Sequence, residues 1–470
     1  MGKMSPAGNI EIPFVGGGYT ARNPNSNAQV SQNLYLERDN TGGRSIAWLT
    51  ATPGAKAWKD MSVSVEGRAF AEFEGELYSV FGNTVYKHAS DRSQTSIGTI
   101  GTSSGFCDIN IDDNNMVVFD STNGWIWNGS TFTAISAAGF PVNITGATYQ
   151  DGRHIVSSAG TGQFFICGLT GTGEADPASW SALDFATAEG AADNLVSPVS
   201  LEVQLWLIGE KSTEIWFNSG ATFPFARDSS GFTLIGCNSK RSIAHFEDDM
   251  LFLSDKNQVV RKTGFRLEPV STYQIDFLIS TMPITSDAVG NMYFQEGQLF
   301  YELTFPTGNT TICYSLATGF WHTRASGASD ARSRANAIIR FNNQVLVADY
   351  INGNIYEYDL ATFTDGGAVK RAIRTAQVIN ERNQKMYFSS FEVDMETGHG
   401  GTARLQVSHD GGHTFSNERA LSMGALGEYR TKIRWNRLGS GRDFIPRLII
   451  SDAVPRNLYQ AYLRGTVSDV

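Results

Sequence analysis

Four side chains with chemistry to offer fall within eight residues near the C-terminus: Ser408, His409, Asp410 and His413, in Ser408-His-Asp-Gly-Gly-His-Thr-Phe415. A carboxylate can serve as general acid or base, and two imidazoles four residues apart could hold a metal. The same residues also specify a tight turn. Asp410 can accept backbone N–H bonds, Gly411 and Gly412 allow positive φ, and Phe415 can pack beneath. On that reading Asp410, Gly411, Gly412 and Phe415 form a structural hairpin, and His409 and His413 point at solvent without a metal.

The spacing Ser-x-Asp-x-Gly-x-Thr-Phe resembles the Asp-box hairpin of sialidase-type propellers, which would imply a protein that binds or cleaves carbohydrate. Sialidases carry an arginine triad and several boxes, however, and this chain has one box. Paired carboxylates for glycoside hydrolysis need only meet in space, so spacing does not reveal them. Other catalytic patterns are missing: no phosphate-cradling Gly-x-x-x-x-Gly-Lys-Ser/Thr, no His-Glu-x-x-His and no Gly-x-Ser-x-Gly. Asp108-Ile-Asn-Ile-Asp112-Asp113 hints at a calcium loop, but Asp113 stands where an EF-hand needs glycine. Alternation of Ile109 and Ile111 makes it a strand entering a turn. The expectation is a non-enzyme with no catalytic residue, cofactor or metal.

Such hairpins must be carried by β-structure. The chain has 470 residues, 41% hydrophobic, with 48 glycines and only 18% charged residues. That length exceeds the roughly 250–300 residues of a single core, so at least two folding units are expected. Strand–turn–strand units dominate and helical periodicity is almost absent. Gly75-Glu-Leu-Tyr-Ser-Val-Phe-Gly-Asn-Thr-Val-Tyr86 turns at Gly82-Asn83, and Met116 to Trp127 turns at Asn123-Gly124. Similar units begin near Gly152, Val203, Asp249, Gly297 and Asn343. A recurrence of roughly 40–50 residues is the span of a four-stranded propeller blade. A chain of several sandwiches is the rival architecture.

The fold class is therefore all-β: an extended N-terminal arm (1–50), a β-propeller-like body (51–370) and a C-terminal β-sandwich-like domain (371–470). The arm is rich in Asn and Gln and is expected to order only against a neighbouring molecule. The net charge of −10 disfavours gripping nucleic acid, whose phosphates reward Lys and Arg. A wall past which DNA slides would be acidic or neutral. Cys107, Cys167, Cys237 and Cys313 are widely spaced and read as reduced, buried hydrophobes of a protein made in a cytoplasm. No run approaches the about 18 apolar residues of a membrane span, and no signal peptide is evident. Candidate interface residues are Phe223, Pro224, Phe225 and Arg227, as an aromatic anchor, and Arg324, Arg332 and Arg334 of the main basic cluster.

Several stretches, in order, resemble the packaged DNA stabilisation, or tail hub (nozzle), proteins of short-tailed bacteriophages. They are Asn33-Leu-Tyr-Leu-Glu37, Thr52-Pro-Gly54, Asp176-Pro-Ala-Ser-Trp180, Leu183-Asp-Phe185, Ala188-Glu189, Thr213-Glu-Ile-Trp-Phe217 and Phe223-Pro-Phe225. Gly236-Cys237, Ser242-Ile-Ala244, Leu251-Phe-Leu253, Gly427-Glu-Tyr429, Trp435-Asn-Arg-Leu-Gly439 and Ser451-Asp452 continue the set. The resemblance implies a virion tail protein made in the host cytoplasm and assembled as a hexameric ring below the portal and adaptor. Such a ring helps close the DNA exit channel, lets DNA pass without sequence-specific binding, and docks tail fibre, spike or needle proteins.

Overall fold

The computed structural model describes residues 10–467 apart from 19, 24, 40 and 42–44. Alternating apolar residues around short turns build seven four-stranded antiparallel units among the described residues. The first comprises Gly67–Phe73, Glu76–Phe81, Thr84–His88 and Gln94–Thr99. Five more follow in chain order, with innermost strands Asp108–Ile111, Ile144–Gln150, Leu195–Leu201, Ala244–Phe246 and Val289–Gln295. The seventh takes Ala335–Phe341, Gln344–Asp349 and Asn354–Asp359 and is completed by Gly54–Asp60 from the N-terminal side. That exchange closes a propeller, because the last blade cannot form without the first strand of the body.

The hairpins legible in the sequence are the second and third strands of each blade. Their apolar residues fill seven separate cores, one between each pair of neighbouring blades around the circle. Gly353 has φ +68° at the Asn352-Gly353 turn, and a Cβ there would strike the Val63 carbonyl. At the Asn123-Gly124 turn the glycine's φ is not positive, and its missing side chain leaves room for Phe119 and Ile135. The turn is held by Asp120, whose Oδ1 accepts the N–H of Thr122 at 2.7 Å. Among the described residues one α-helix, Tyr273–Ser280, stands between the fifth and sixth blades.

The C-terminal sandwich packs two sheets face to face. One contains Leu34–Arg38, Ala47–Ala51, Leu458–Val467, Met386–Met395 and Ile433–Asn436. The other contains Val30–Gln32, Ala372–Thr375, Asp443–Ile450, Thr402–Ser408 and Arg419–Ser422. This second sheet runs on into the sixth blade, because Gln32 pairs in parallel with Thr323 while Val30–Gln32 pairs with Ala372–Thr375. Propeller and sandwich thus share a continuous sheet.

The N-terminal segment corrects one expectation. It is extended, but its strands pair within their own chain. Ile10–Ile12 pairs with Leu463–Ala461, and Ile12, Phe14, Leu34, Leu36 and Leu49 enter the sandwich core. Most polar residues between them face outward or make turns, with Ser31 and Asn33 the buried exceptions, which hides the alternation from a composition count. Asn33 fastens the join: its amide donates to the carbonyls of Ala325 (2.9 Å) and Arg371 (2.7 Å) and accepts from Ala325 N–H (3.0 Å).

Candidate functional site

The Ser408–Phe415 stretch leaves the sandwich strand Thr402–Ser408 and forms a tight loop. Asp410 accepts hydrogen bonds from Ser408 Oγ (2.6 Å), Thr414 N–H (2.9 Å) and Thr414 Oγ1 (2.6 Å). These donors hold its carboxyl well below the usual carboxylate range. Gly411 and Gly412 take φ of +73° and +92°. Phe415 lies under the Arg447 guanidinium, 3.5 Å from its centroid. His413 is exposed, but His409 is not turned to solvent as expected. Its ring stacks on Phe388 (centroids 5.5 Å apart), and its nitrogens lie 3.0 Å from the carbonyls of Asp443 and Leu438. Gly439 and Gly441 border the ring, so Trp435-Asn-Arg-Leu-Gly439 and the Asp box meet around one histidine. The two imidazoles therefore do not converge on a metal. Among the described residues no three His, Cys, Asp or Glu side chains are grouped to hold one.

The aromatic anchor lies inside the fold. Pro224 and Phe225 are buried, and Phe164 meets Phe223 and Phe225 edge-on at 5.9 and 6.5 Å in the core between the third and fourth blades. Packing thus accounts for Pro224 and Phe225, while Phe223 is only partly buried at the edge of that core. Arg227, at the end of that segment, reaches Glu214 at 3.5 Å within the same blade.

Two of the three clustered arginines pair with carboxylates of their own chain. Arg324 is buried, donating to Glu302 (2.9 Å), Tyr293 Oη (3.0 Å) and Pro53 O (3.0 Å), with its guanidinium 4.2 Å from the Tyr358 ring centroid. Burial presses its pKa down, but Glu302 and the two tyrosines outweigh that and hold it charged. Arg332 lies over Tyr350 at 3.6 Å, and Arg334 donates to Asp349 at 2.9 Å. These two are half-buried; Arg334 pairs with a carboxylate of its own blade, whereas Arg332 has only the Tyr350 face beneath it and its Nη1 has no hydrogen-bond partner among the described residues.

Sequence reasoning missed the buried cations that fasten the N-terminal segment, the start of the body and the domain boundary. Arg374 is buried and reaches Phe14 O (2.7 Å), Gly17 O (3.0 Å) and Gln29 Oε1 (3.0 Å); burial lowers its pKa to about 10. Arg456 donates to Lys370 O and Asp452 O, both at 2.6 Å, bridging the domain boundary. Lys370 donates to Thr52 O at 2.8 Å and to Pro53 O, with Asp365 4.0 Å away. Burial takes it down to about 7. Only the apposition of Thr52-Pro53 with Lys370 could have signalled this, and nothing in either stretch alone announces it.

Apolar surface that could meet another molecule lies elsewhere. Leu183 on the third blade is 84% exposed, beside Phe185, which rests on Phe165 at 5.5 Å. Leu426 and Tyr429 of the sandwich are 85% and 66% exposed.

A closed propeller sharing a sheet with a β-sandwich, its catalytic-looking hairpin spent on a turn, defines a two-domain propeller–sandwich protein. The sequence matches the family model described as Bacteriophage P22 Gp10, beta-propeller, over residues 10–363, and that described as Bacteriophage P22 Gp10, beta-sandwich, over 371–466. The chain belongs to this family of phage structural proteins, and its place is the phage virion. The sequence has no match among curated proteins. Among solved structures it is similar to the virginiamycin B lyase of Staphylococcus aureus, with 8% identity over 64% of this chain and 98% of that one (TM-score 0.44). It is also similar to the WD40 domain of Pan2 from Neurospora crassa, with 9% identity over 66% and 94% (TM-score 0.41). A computationally designed protein, Ika8, gives 9% identity over 65% and 99% (TM-score 0.40). At these scores the likenesses carry no functional weight.

Proposed function

We propose that this chain is a tail hub, or nozzle, subunit of a short-tailed phage. Copies would form a ring below the portal and adaptor that helps close the exit channel, retains packaged DNA and docks fibre, spike or needle proteins. The observation that carries the reading is family membership across both domains. The net charge of −10 supports a wall past which DNA slides ungripped. Internal pairing of Arg324 and Arg334 supports it too, since those cations are not offered to phosphate. The Asp box lies in the sandwich, away from the blades, and gives the carbohydrate reading no support of its own.

The test is the protein's presence in purified virions, by mass spectrometry, together with the mass of the purified full chain in solution. A structural protein present in ring stoichiometry, six copies under the hexamer expectation, is the expected result. Absence from virions would overturn the proposal, and so would turnover of glycans by the purified chain.

A further inference from the structure

We infer that the sandwich carries both halves of a head-to-tail contact, with the Leu426 tip of one copy seated in an apolar groove beside Ile379 of the next copy. The inference deepens the ring reading above and rests on it for the identity of the occupant.

A single exposed leucine ordinarily needs no explanation. This one is presented on a loop held rigid by its neighbours. Gly427 N–H donates to Gly398 O, Gly400 N–H to Gly424 O, and Met423 N–H to Gly401 O, each at 3.0 Å. Glu428 Oε2 accepts the Ala425 N–H at 2.9 Å, and Met423 anchors the loop in the sandwich core. Tyr429 meets the edge of His399 at 5.8 Å. The tip therefore loses little conformational freedom on docking, which is what a preorganised anchor requires.

The groove is a cavity of about 260 Å³ between Ile10–Ile12 and the Gln377–Glu381 segment, with Met386 and Leu463 in its lining. That exceeds the roughly 150 Å³ that admits a benzene-sized group, so a leucine side chain fits. Glu11 and Glu381 also line it. On the tip, Arg430 follows Tyr429 and has no hydrogen-bond or ion-pair partner among the described residues. The groove rim keeps a net acidic character toward that cation, because among the described residues Glu11 is bonded only to the neutral amide of Gln460 and Glu381 faces one exposed arginine, Arg382, at 3.9 Å.

Position then sets the symmetry. Met386 in the groove begins the strand Met386–Met395, and the residues directly after Met395 hold the tip. At about 3.3 Å per residue the two patches lie roughly 30 Å apart, at opposite ends of one strand. Different patches at opposite ends make a heterologous contact, which closes into a ring when the rotation between copies closes.

Sedimentation velocity on the full chain tests this. Leu426→Asp and Ile379→Asp should each abolish species larger than the monomer. Mixed in equal amounts, they should form dimers and stop there, because one copy keeps the groove and the other keeps the tip. Arg430→Glu and Glu381→Lys should each weaken association about tenfold, and the two reversals together should restore it. These surface reversals decide the question even if Ile379→Asp disturbs folding. Wild-type oligomers that persist in Leu426→Asp and in both single reversals would overturn this contact and leave the ring reading standing. A chain monomeric at every concentration overturns the contact too; the ring reading then falls only if the protein is also absent from virions.

Discussion

Lys370 shows how far a basic residue's meaning depends on what surrounds it. In sequence it adjoins Arg371 at the end of the propeller segment, where solvated charge is the ordinary reading. In the fold it is buried against Thr52 O and Pro53 O, and burial takes its pKa from 10.5 to about 7. Between those values the unfolded chain holds more protons than the native one, so stability must rise with pH. The expected outcome is a gain of about 2–3 kcal/mol between about pH 7 and pH 9, absent from Lys370→Met, read from urea titrations across that range. A variant with the same slope as wild type would contradict the assignment. Arg324 teaches the same lesson: its neighbours Arg332 and Arg334 made it look like interface, but Glu302, 22 residues earlier, takes its charge. Asp410 was the opposite case, because its partners Ser408 and Thr414 are local and the hairpin could be read directly.

Elements followed the same division. The blade hairpins were legible because each pairs with its sequence neighbour, and Asn-Gly turns mark the reversal. The N-terminal segment was not, because Ile10 pairs with Leu463, at the far end of the chain. Its apolar residues complete the sandwich core, so a fragment of 371–470 alone lacks Ile12, Phe14, Leu34, Leu36 and Leu49. Removing five large side chains from one core is worth far more than a domain's margin of roughly 5–15 kcal/mol. The fragment is expected to bind a hydrophobic dye and to show no dispersed amide spectrum, whereas the full chain shows a native fold. A well-dispersed spectrum from 371–470 would refute the dependence.

For the molecule as a whole, buried histidines set the acid limit. Burial lowers His322 to about 3 and His88 to about 4. As pH falls below the unfolded value near 6.5, the unfolded chain gains protons that the native one refuses, and stability drops. The two groups together should cost roughly 2–3 kcal/mol per pH unit between about pH 6 and pH 4, and His322→Leu should remove about half of that slope in thermal melts. An unchanged slope would show that His322 does not contribute to acid unfolding. Composition, turn chemistry and two-residue alternation were enough to specify an all-β chain of repeated hairpins followed by longer strands, because those preferences act between residues close in sequence. Circular closure by Gly54–Asp60, the sheet shared through Val30–Gln32 and the burial of Arg324, Lys370 and Arg374 were decided by contacts between distant segments. Whether a charge faces water or a carbonyl depends on which remote strand arrives beside it, and local spacing carries no record of that arrival.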